Sequence, residues 1–220
     1  MHAAIWEGRK EIAKALIESG AEVNATMLGP LGWTPIGEAA RFGLVDTINE
    51  LLDHGARIDS RTRSGAMPLH LAIEFKQYRA AETLLRNGAD VNAITADGST
   101  PLQLFANNSR DERGAAWDDS QDAVLLEMLL AKGANVNAKA DGGSTALHYA
   151  VLRNNLRTAR ILTENGADPD VMELPDRQYY GSTFHHEGSE MTLQQRISDT
   201  LQSSWWTQGV QRIPNLAKGL

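Results

Sequence analysis

Residues 133–150 read GANVNAKADGGSTALHYA, and this stretch combines the end of one helix, a short extended loop and the start of another helix. Gly133 follows the run LLAK and can adopt the left-handed conformation that commonly ends a helix. Gly142 and Gly143 supply a turn, and the Thr145 hydroxyl stands where it can accept a hydrogen bond from the free amides of the next helix. The stretch therefore predicts a helix, a hairpin-like loop and a second helix.

The same pattern recurs along most of the chain. The helix starts MPLHLA, TPLQLF and TALHYA each begin twelve residues after a glycine, and TPIGEA begins fourteen residues after the first glycine. Apolar residues in the second helix of each unit fall at amphipathic spacing, so their apolar faces can be buried only against a neighbouring unit. Such repetition predicts a solenoid rather than one or two globular domains. The glycines are Gly20, Gly55, Gly88, Gly133 and Gly166, at intervals of 35, 33, 45 and 33 residues.

A helix start of the form T-P-L-H-x-A at a period of about 33 residues resembles the ankyrin-repeat family. The resemblance covers residues 1–172 and implies an all-α solenoid of stacked helix-turn-helix units with hairpin-like loops. Degenerate units are expected to cap both ends, and residues 173–220 are predicted to be an irregular loop followed by degenerate C-terminal capping helices. We place the units at about 1–25, 26–60, 61–93, 94–138 and 139–171.

The composition limits the classes of function and the cellular setting. The formal net charge of −7 and the lack of a basic block disfavour a nucleic-acid partner. The chain has no cysteine, which excludes disulfides, thiolate zinc sites and a cysteine nucleophile. It also has no apolar run of the roughly 20 residues that a membrane span needs, and no signal-peptide core. We therefore expect a cytoplasmic or nuclear protein that is not secreted, binds no nucleic acid and no membrane, and is monomeric alone.

The resemblance implies a protein-protein interaction module, because ankyrin proteins bind partners through a concave surface of loop tips and exposed first-helix residues. Two positions directly after each T-P-L-H-x-A block are therefore expected to face a partner. Aromatic residues at Trp6, Phe42 and Phe75 favour an interaction patch there. The alternative is that these rings pack between neighbouring helices. The candidates for partner contact are Trp6, Glu7, Arg41, Phe42, Glu74, Phe75, Asn107, Asn108, Leu152 and Arg153, with Lys139 and Asp141 at a loop tip.

The longest departure from the repeat is an insert at about residues 106–120, which reads ANNSRDERGAAWDDS. Its acidic residues and its lone Trp117 allow two interpretations. The insert is either a solvated loop or a partner-specific projection with Trp117 as the anchor.

Signs of catalytic chemistry are few. The cluster of His185, His186 and Glu187 resembles a site, but adjacent ligands lack the i, i+4 spacing of a helical zinc motif. We therefore predict no metal site, no cofactor and no enzymatic activity, with a scaffold, adaptor or inhibitor as the leading interpretation. Two alternatives stay open: a regulatory or targeting domain of a longer protein, and an unusual enzyme whose pocket residues 173–190 form over the repeats.

Three asparagines are candidate modification sites. Asn24, Asn92 and Asn137 occupy the V-N-A position of the loops, where asparagines of the family can be hydroxylated. A simpler interpretation is that asparagine suits such a loop because its side chain can bond to its own backbone.

Overall fold

The computed structural model describes residues 1–27, 31–108 and 121–168, and these ranges contain ten α-helices and no strand. The predicted all-α fold is confirmed. Trp117, the cluster at 185–187 and the capping helices predicted within 173–220 lie outside the described residues. The helices are α1 His2–Trp6, α2 Lys10–Glu18, α3 Pro35–Arg41, α4 Val45–Asp53, α5 Pro68–Glu74, α6 Tyr78–Arg86, α7 Pro101–Asn108, α8 Gln121–Ala131, α9 Ala146–Leu152 and α10 Leu156–Glu164.

The helices form two layers along a stack. The first helices of successive units pack on one another, α1 on α3, α3 on α5, α5 on α7 and α7 on α9. The second helices do the same, α2 on α4, α4 on α6 and α6 on α8, and each first helix also packs on the second helix of its own unit. The described chain is therefore a solenoid in which units contact their neighbours.

One apolar core runs between the two layers. Ile36 of α3, Ile48 of α4, Leu69 of α5 and Leu84 of α6 are almost completely buried in it. Full burial of such a side chain stabilises the fold by roughly 1.5–3 kcal/mol. Because neighbouring units share this core, a change in one unit also affects the units beside it.

The helix starts carry the predicted caps with one addition. The Thr34 hydroxyl accepts a hydrogen bond from the Gly37 N–H at 3.3 Å, as expected of an N-cap. At the start of α9, the Thr145 N–H also donates to Nδ1 of His148 at 3.0 Å, which makes the cap reciprocal. The predicted cap by the Thr145 hydroxyl is present, and the His148 ring adds a second hydrogen bond to it.

A buried side chain at the third position of a first helix ties that helix to the loop of the next unit. In α5, Nδ1 of His70 accepts the N–H that begins the helix, and Nε2 donates to Ala93 O at 3.0 Å. In α7, Gln103 performs both roles with its amide, and its Nε2 donates to Ala138 O at 2.8 Å. Gln103 therefore shows that a side chain without a titratable group can do the work of this histidine.

The hairpin-like loops also bond to each other through their backbones. Gly65 and Gly98 have positive φ values of 75° and 72°, in the left-handed region that favours glycine. A Cβ atom on Gly65 would lie 2.9 Å from the Ala96 nitrogen, so the loops approach too closely for a larger residue. The three backbone bonds run from Arg63 N–H to Leu31 O at 3.1 Å, from Ala96 N–H to Ser64 O at 2.9 Å and from Asp141 N–H to Asp97 O at 3.1 Å.

Candidate functional site

An aromatic cluster surrounds one arginine at the first three units of the stack. The guanidinium carbon of Arg41 lies 4.5 Å from the ring centre of Trp33 and 4.6 Å from that of Phe75. The ring centres of Phe42 and Trp6 lie 5.0 Å and 5.3 Å from the same carbon. We call Trp6, Trp33, Arg41, Phe42 and Phe75 the aromatic patch. It takes residues from three consecutive units.

The helix ends position these residues. Trp6 ends α1, Arg41 ends α3, and Phe42 and Phe75 directly follow α3 and α5. The first helices stack in register, so the same end of each helix meets the same end of the next. The ring of Trp6 consequently stands edge-on to that of Phe42, with the ring centres 5.5 Å apart. Residues about one repeat apart in sequence thus form a continuous cluster.

The patch is partly open to solvent. Trp6 is 53% exposed and Phe75 is 39% exposed, whereas Trp33 is buried and Phe42 is half-buried against the core. Of the three rings for which packing between helices was the alternative, Phe42 is the one that it describes in part. Large apolar side chains that stay exposed next to one another are typical of interaction surfaces.

Arg41 has an unusual environment for a cation. Its Nε and Nη1 atoms are buried and have no hydrogen-bond partner, and no carboxylate within the described ranges lies at ion-pair distance. The four rings attract the guanidinium through their π faces, by about 0.5–2 kcal/mol for each favourable pair. The rings therefore hold the guanidinium in place while its hydrogen-bonding capacity stays unused.

A buried carboxyl lies beneath the patch. Oε2 of Glu38 is 2.8 Å from Nδ1 of His2, and Oε1 has no partner. Nε2 of His2 donates to Ala25 O at 2.9 Å, so the Nδ1 to Oε2 contact holds one further proton between the two groups. Burial raises the pKa of Glu38, and the hydrogen bond from His2 and the charge of Arg41 offset part of that rise.

The last two described units present a polar surface at the equivalent positions. Nε and Nη2 of Arg153 both donate to Oδ1 of Asn107, at 2.9 Å and 2.8 Å. Nδ2 of Asn108 donates to Glu74 O at 3.3 Å and so supplies a hydrogen bond to a carbonyl at the end of α5. We call Asn107, Asn108 and Arg153 the polar end. These three predicted partner residues use their polar atoms within the protein.

The other predicted contact residues are more dispersed. Glu7 is exposed and pairs with Arg9, whose Nε lies 2.6 Å from a carboxylate oxygen of Glu7. Glu74, Lys139 and Asp141 are exposed, and Leu152 is half-buried. None of these joins the aromatic patch through a ring contact.

Trp33 is the member of the patch that sequence reasoning missed. It directly precedes the helix start TPIGEA, whereas small residues precede the other three helix starts. That departure from the repeat was the available signal. The neighbouring loop residues Met27 and Leu31 are also exposed, by 43% and 52%.

Two kinds of site have no support in the described ranges. No group of three or more histidine or acidic side chains there is placed to hold a metal ion. Across the same residues, none of the helices has the length and apolar character needed to cross a bilayer.

The amino-acid sequence of the chain matches a known family of repeats. A sequence model of ankyrin repeats in three copies matches residues 1–95 and again residues 87–173. The chain belongs to the ankyrin-repeat family. Ankyrin repeats are protein-protein interaction modules and are generally not catalytic.

Several larger proteins contain a region similar to this ankyrin chain. The palmitoyltransferase AKR1 of Lachancea kluyveri is 29% identical over 168 residues, which is 76% of this chain and 22% of that protein. The neurogenic locus notch homolog protein 1 of Danio rerio is 30% identical over 68% of this chain and 8% of its own length. The notch homolog protein 2 of Homo sapiens is 31% identical over 72% of this chain and 6% of its own length. The chain therefore spans less than a quarter of each of these relatives.

The three V-N-A asparagines of this ankyrin stack bridge adjacent units. Nδ2 of Asn24 donates to Gly55 O at 3.0 Å, and Oδ1 accepts the Arg57 N–H at 2.8 Å. Asn92 and Asn137 form the same pair of bonds with the next loop. The interpretation that these side chains bond to their own backbone is wrong, because each bonds to the following unit. Hydroxylation of the three stays a prediction.

Proposed function

We propose that the chain is a non-catalytic, intracellular protein-binding module whose partner docks on the aromatic patch. The observation that carries the proposal is the exposure of Trp6 and Phe75 beside an arginine with unused donors. Tryptophan, tyrosine and arginine are the residues that most often dominate binding energy at interfaces. The polar end is a weaker candidate, since Asn107 and Arg153 already bond to each other.

The remaining predicted residues are exposed charges. Glu7 and Glu74 adjoin Trp6 and Phe75 in sequence, whereas Lys139 and Asp141 lie in the loop of the last described unit. Such charges at an interface edge affect specificity more than affinity. Trp117 is proposed as a second anchor on the strength of the sequence alone.

Affinity capture followed by measurement with the purified partner tests the proposal. We expect the double substitution Trp6→Ala, Phe75→Ala to weaken binding about 100-fold, which corresponds to about 3 kcal/mol. The matched control is Leu152→Ala, Arg153→Ala, at the equivalent positions of the last described unit, with an expected change in affinity below about threefold. Equal losses in the two double variants would rule out the aromatic patch as the main site.

A second candidate is a regulatory or targeting domain of a longer protein that uses the same surface. The observation that favours it is that the similar relatives are much longer than this chain, which covers 22%, 8% and 6% of three of them. An antibody against the repeats distinguishes the candidates in source cells. A product of 24.0 kDa supports the independent module, and a much larger product supports the domain.

A further inference from the structure

We propose that the aromatic patch binds a peptide segment of the partner that carries a carboxylate beside a bulky apolar side chain. This inference rests on the proposed function and specifies the chemistry of the partner. It follows from which interactions of the patch are already used and which are free.

The cation position among the rings is already filled. Arg41 lies within 4.5–5.3 Å of all four ring centres, so each ring already has a cation beside it. A cation from a partner would have to displace the guanidinium or accept its repulsion. A basic segment is therefore disfavoured.

The guanidinium instead favours an acceptor. Nε and Nη1 of Arg41 are buried without partners. The side chain as a whole is half-buried, so a partner can approach the guanidinium from solvent. A carboxylate is the strongest acceptor that a protein partner offers to a guanidinium, because both groups are charged.

A second cation lies at the edge of the patch. Arg63 is exposed, and its Cγ lies within 3.2 Å of the position that a Cβ on Gly32 would take, next to Trp33. Within the described part of the chain, the Arg63 guanidinium has no carboxylate at ion-pair distance. It therefore adds positive charge to the loop that leads into Trp33, on a chain whose net charge is −7.

The acids near the patch leave much of this charge uncompensated. Glu7 is paired with Arg9. Glu38 is buried and bonded to His2, and Glu74 is the exposed acid beside Phe75. Arg41 and Arg63 thus have no carboxylate partner within the described ranges, which favours an acidic partner segment.

The apolar part of the proposed ligand has its own contact surface. Trp6 and Phe75 are exposed, and so are the loop side chains Met27 and Leu31. Met27 is tied to the patch through its N–H, which donates to Trp33 O at 2.8 Å. Because burial of apolar surface stabilises a complex, this surface favours a large aliphatic or aromatic residue on the ligand. One peptide segment with an apolar residue next to an acid satisfies both features.

The probe is a phage-displayed library of random linear peptides, selected on the intact chain. We expect the selected consensus to contain Asp or Glu next to Leu, Phe or Trp. In fluorescence anisotropy with the synthetic consensus peptide, replacing its acid by the corresponding amide should weaken binding about tenfold. This peptide substitution leaves the fold of the protein untouched.

Protein variants give the matched test. We expect Arg41→Met to weaken consensus binding about tenfold and Arg153→Met to change it less than about twofold. Raising the salt concentration from about 0.05 M to about 0.5 M should weaken the wild-type complex, because salt screens ion pairs. Urea unfolding of each variant shows that the variant is folded under the binding conditions.

The outcomes separate this inference from the proposed function. If the consensus peptide contains no acid but still binds the Phe75→Ala variant more weakly than the wild type, the inference is overturned and the proposed site is kept. Peptides that bind equally well to all variants would overturn both. Patch-dependent binding of oligothymidine, or patch-dependent dimers of the chain without peptide, would show another occupant and overturn the inference.

Discussion

Except for Trp33, the aromatic patch and the polar end lie at the same ends of the first helices, but their arginines make different interactions. At the patch, Arg41 is surrounded by rings and leaves apolar surface exposed. At the polar end, Arg153 donates two hydrogen bonds to Asn107. The difference teaches that position in an ankyrin unit does not by itself make a residue available to a partner. What decides is whether its interactions are completed within the stack.

The largest expected effect concerns pH and α9, which leads into the polar end. Burial, together with the charge of Lys139, lowers the pKa of His148 from 6.5 to about 4. The unfolded chain therefore takes up a proton at higher pH than the folded chain does. The stability due to neutral His148 is present above pH 6.5 and is lost as the pH falls towards about 4, by up to about 3 kcal/mol.

The variant His148→Gln tests this effect, because Gln103 already performs the same role in α7. We expect the variant to lose less stability than the wild type between neutral pH and about pH 4, as measured by urea unfolding. His70 is common to both proteins, so its own contribution cancels in the difference. Parallel losses in the two proteins would contradict the assignment to His148.

The second effect compares the two arginines directly. We expect Arg41→Ala to lower the free energy of unfolding by about 2 kcal/mol, because contacts with four rings are lost. Arg153→Ala should cost about 1 kcal/mol or less, since its hydrogen bonds lie at a half-exposed site. Urea unfolding at neutral pH measures both, and a larger cost for Arg153→Ala would reverse the comparison.

The third effect concerns the side chains that bridge the loops of adjacent units. Asp59 occupies the position in its loop that Asn24 occupies in the preceding loop. Asn24 donates to the carbonyl of the next loop, whereas the carboxylate of Asp59 has no proton to donate. Asp59→Asn should therefore add a bridge and raise the free energy of unfolding by about 1 kcal/mol. The reverse substitution, Asn92→Asp, is the matched control and should lower it by a similar amount. No gain from Asp59→Asn would mean that Arg61, which donates to Ile94 O, already joins these loops sufficiently.

The smallest expected effect has the opposite pH dependence and lies beneath the aromatic patch. Burial raises the pKa of Glu38, so the wild type loses stability as the pH rises through the raised pKa. His2 and Arg41 offset part of the rise, which keeps the effect small. We therefore expect the free energy of unfolding of Glu38→Gln, measured relative to that of the wild type, to be higher at neutral pH than at acid pH. Glu74→Gln, at an exposed position, is the control, and identical pH profiles for Glu38→Gln and wild type would refute the expectation.

The sequence predicted the scaffold better than the site. Glycine intervals and helix starts are local signals, and they were sufficient for the fold and for placing Trp6, Arg41 and Phe75 at equivalent helix ends. The pairing of Asn107 with Arg153 depends on side-chain orientation across 46 residues, which no local pattern contains. Trp33 was missed for a different reason, since it comes from a loop position that carries a small residue elsewhere in the repeat.

The construction of the aromatic patch has a consequence for its regulation. Trp6 belongs to α1, a helix of only 5 residues, and the patch is complete only when this helix is docked on α3. A helix this short has little stability of its own and depends on its packing against the neighbouring unit. The apparent affinity for a partner therefore scales with the population of molecules in which α1 is docked. A second ligand that steadied this first helix would strengthen binding without touching the partner.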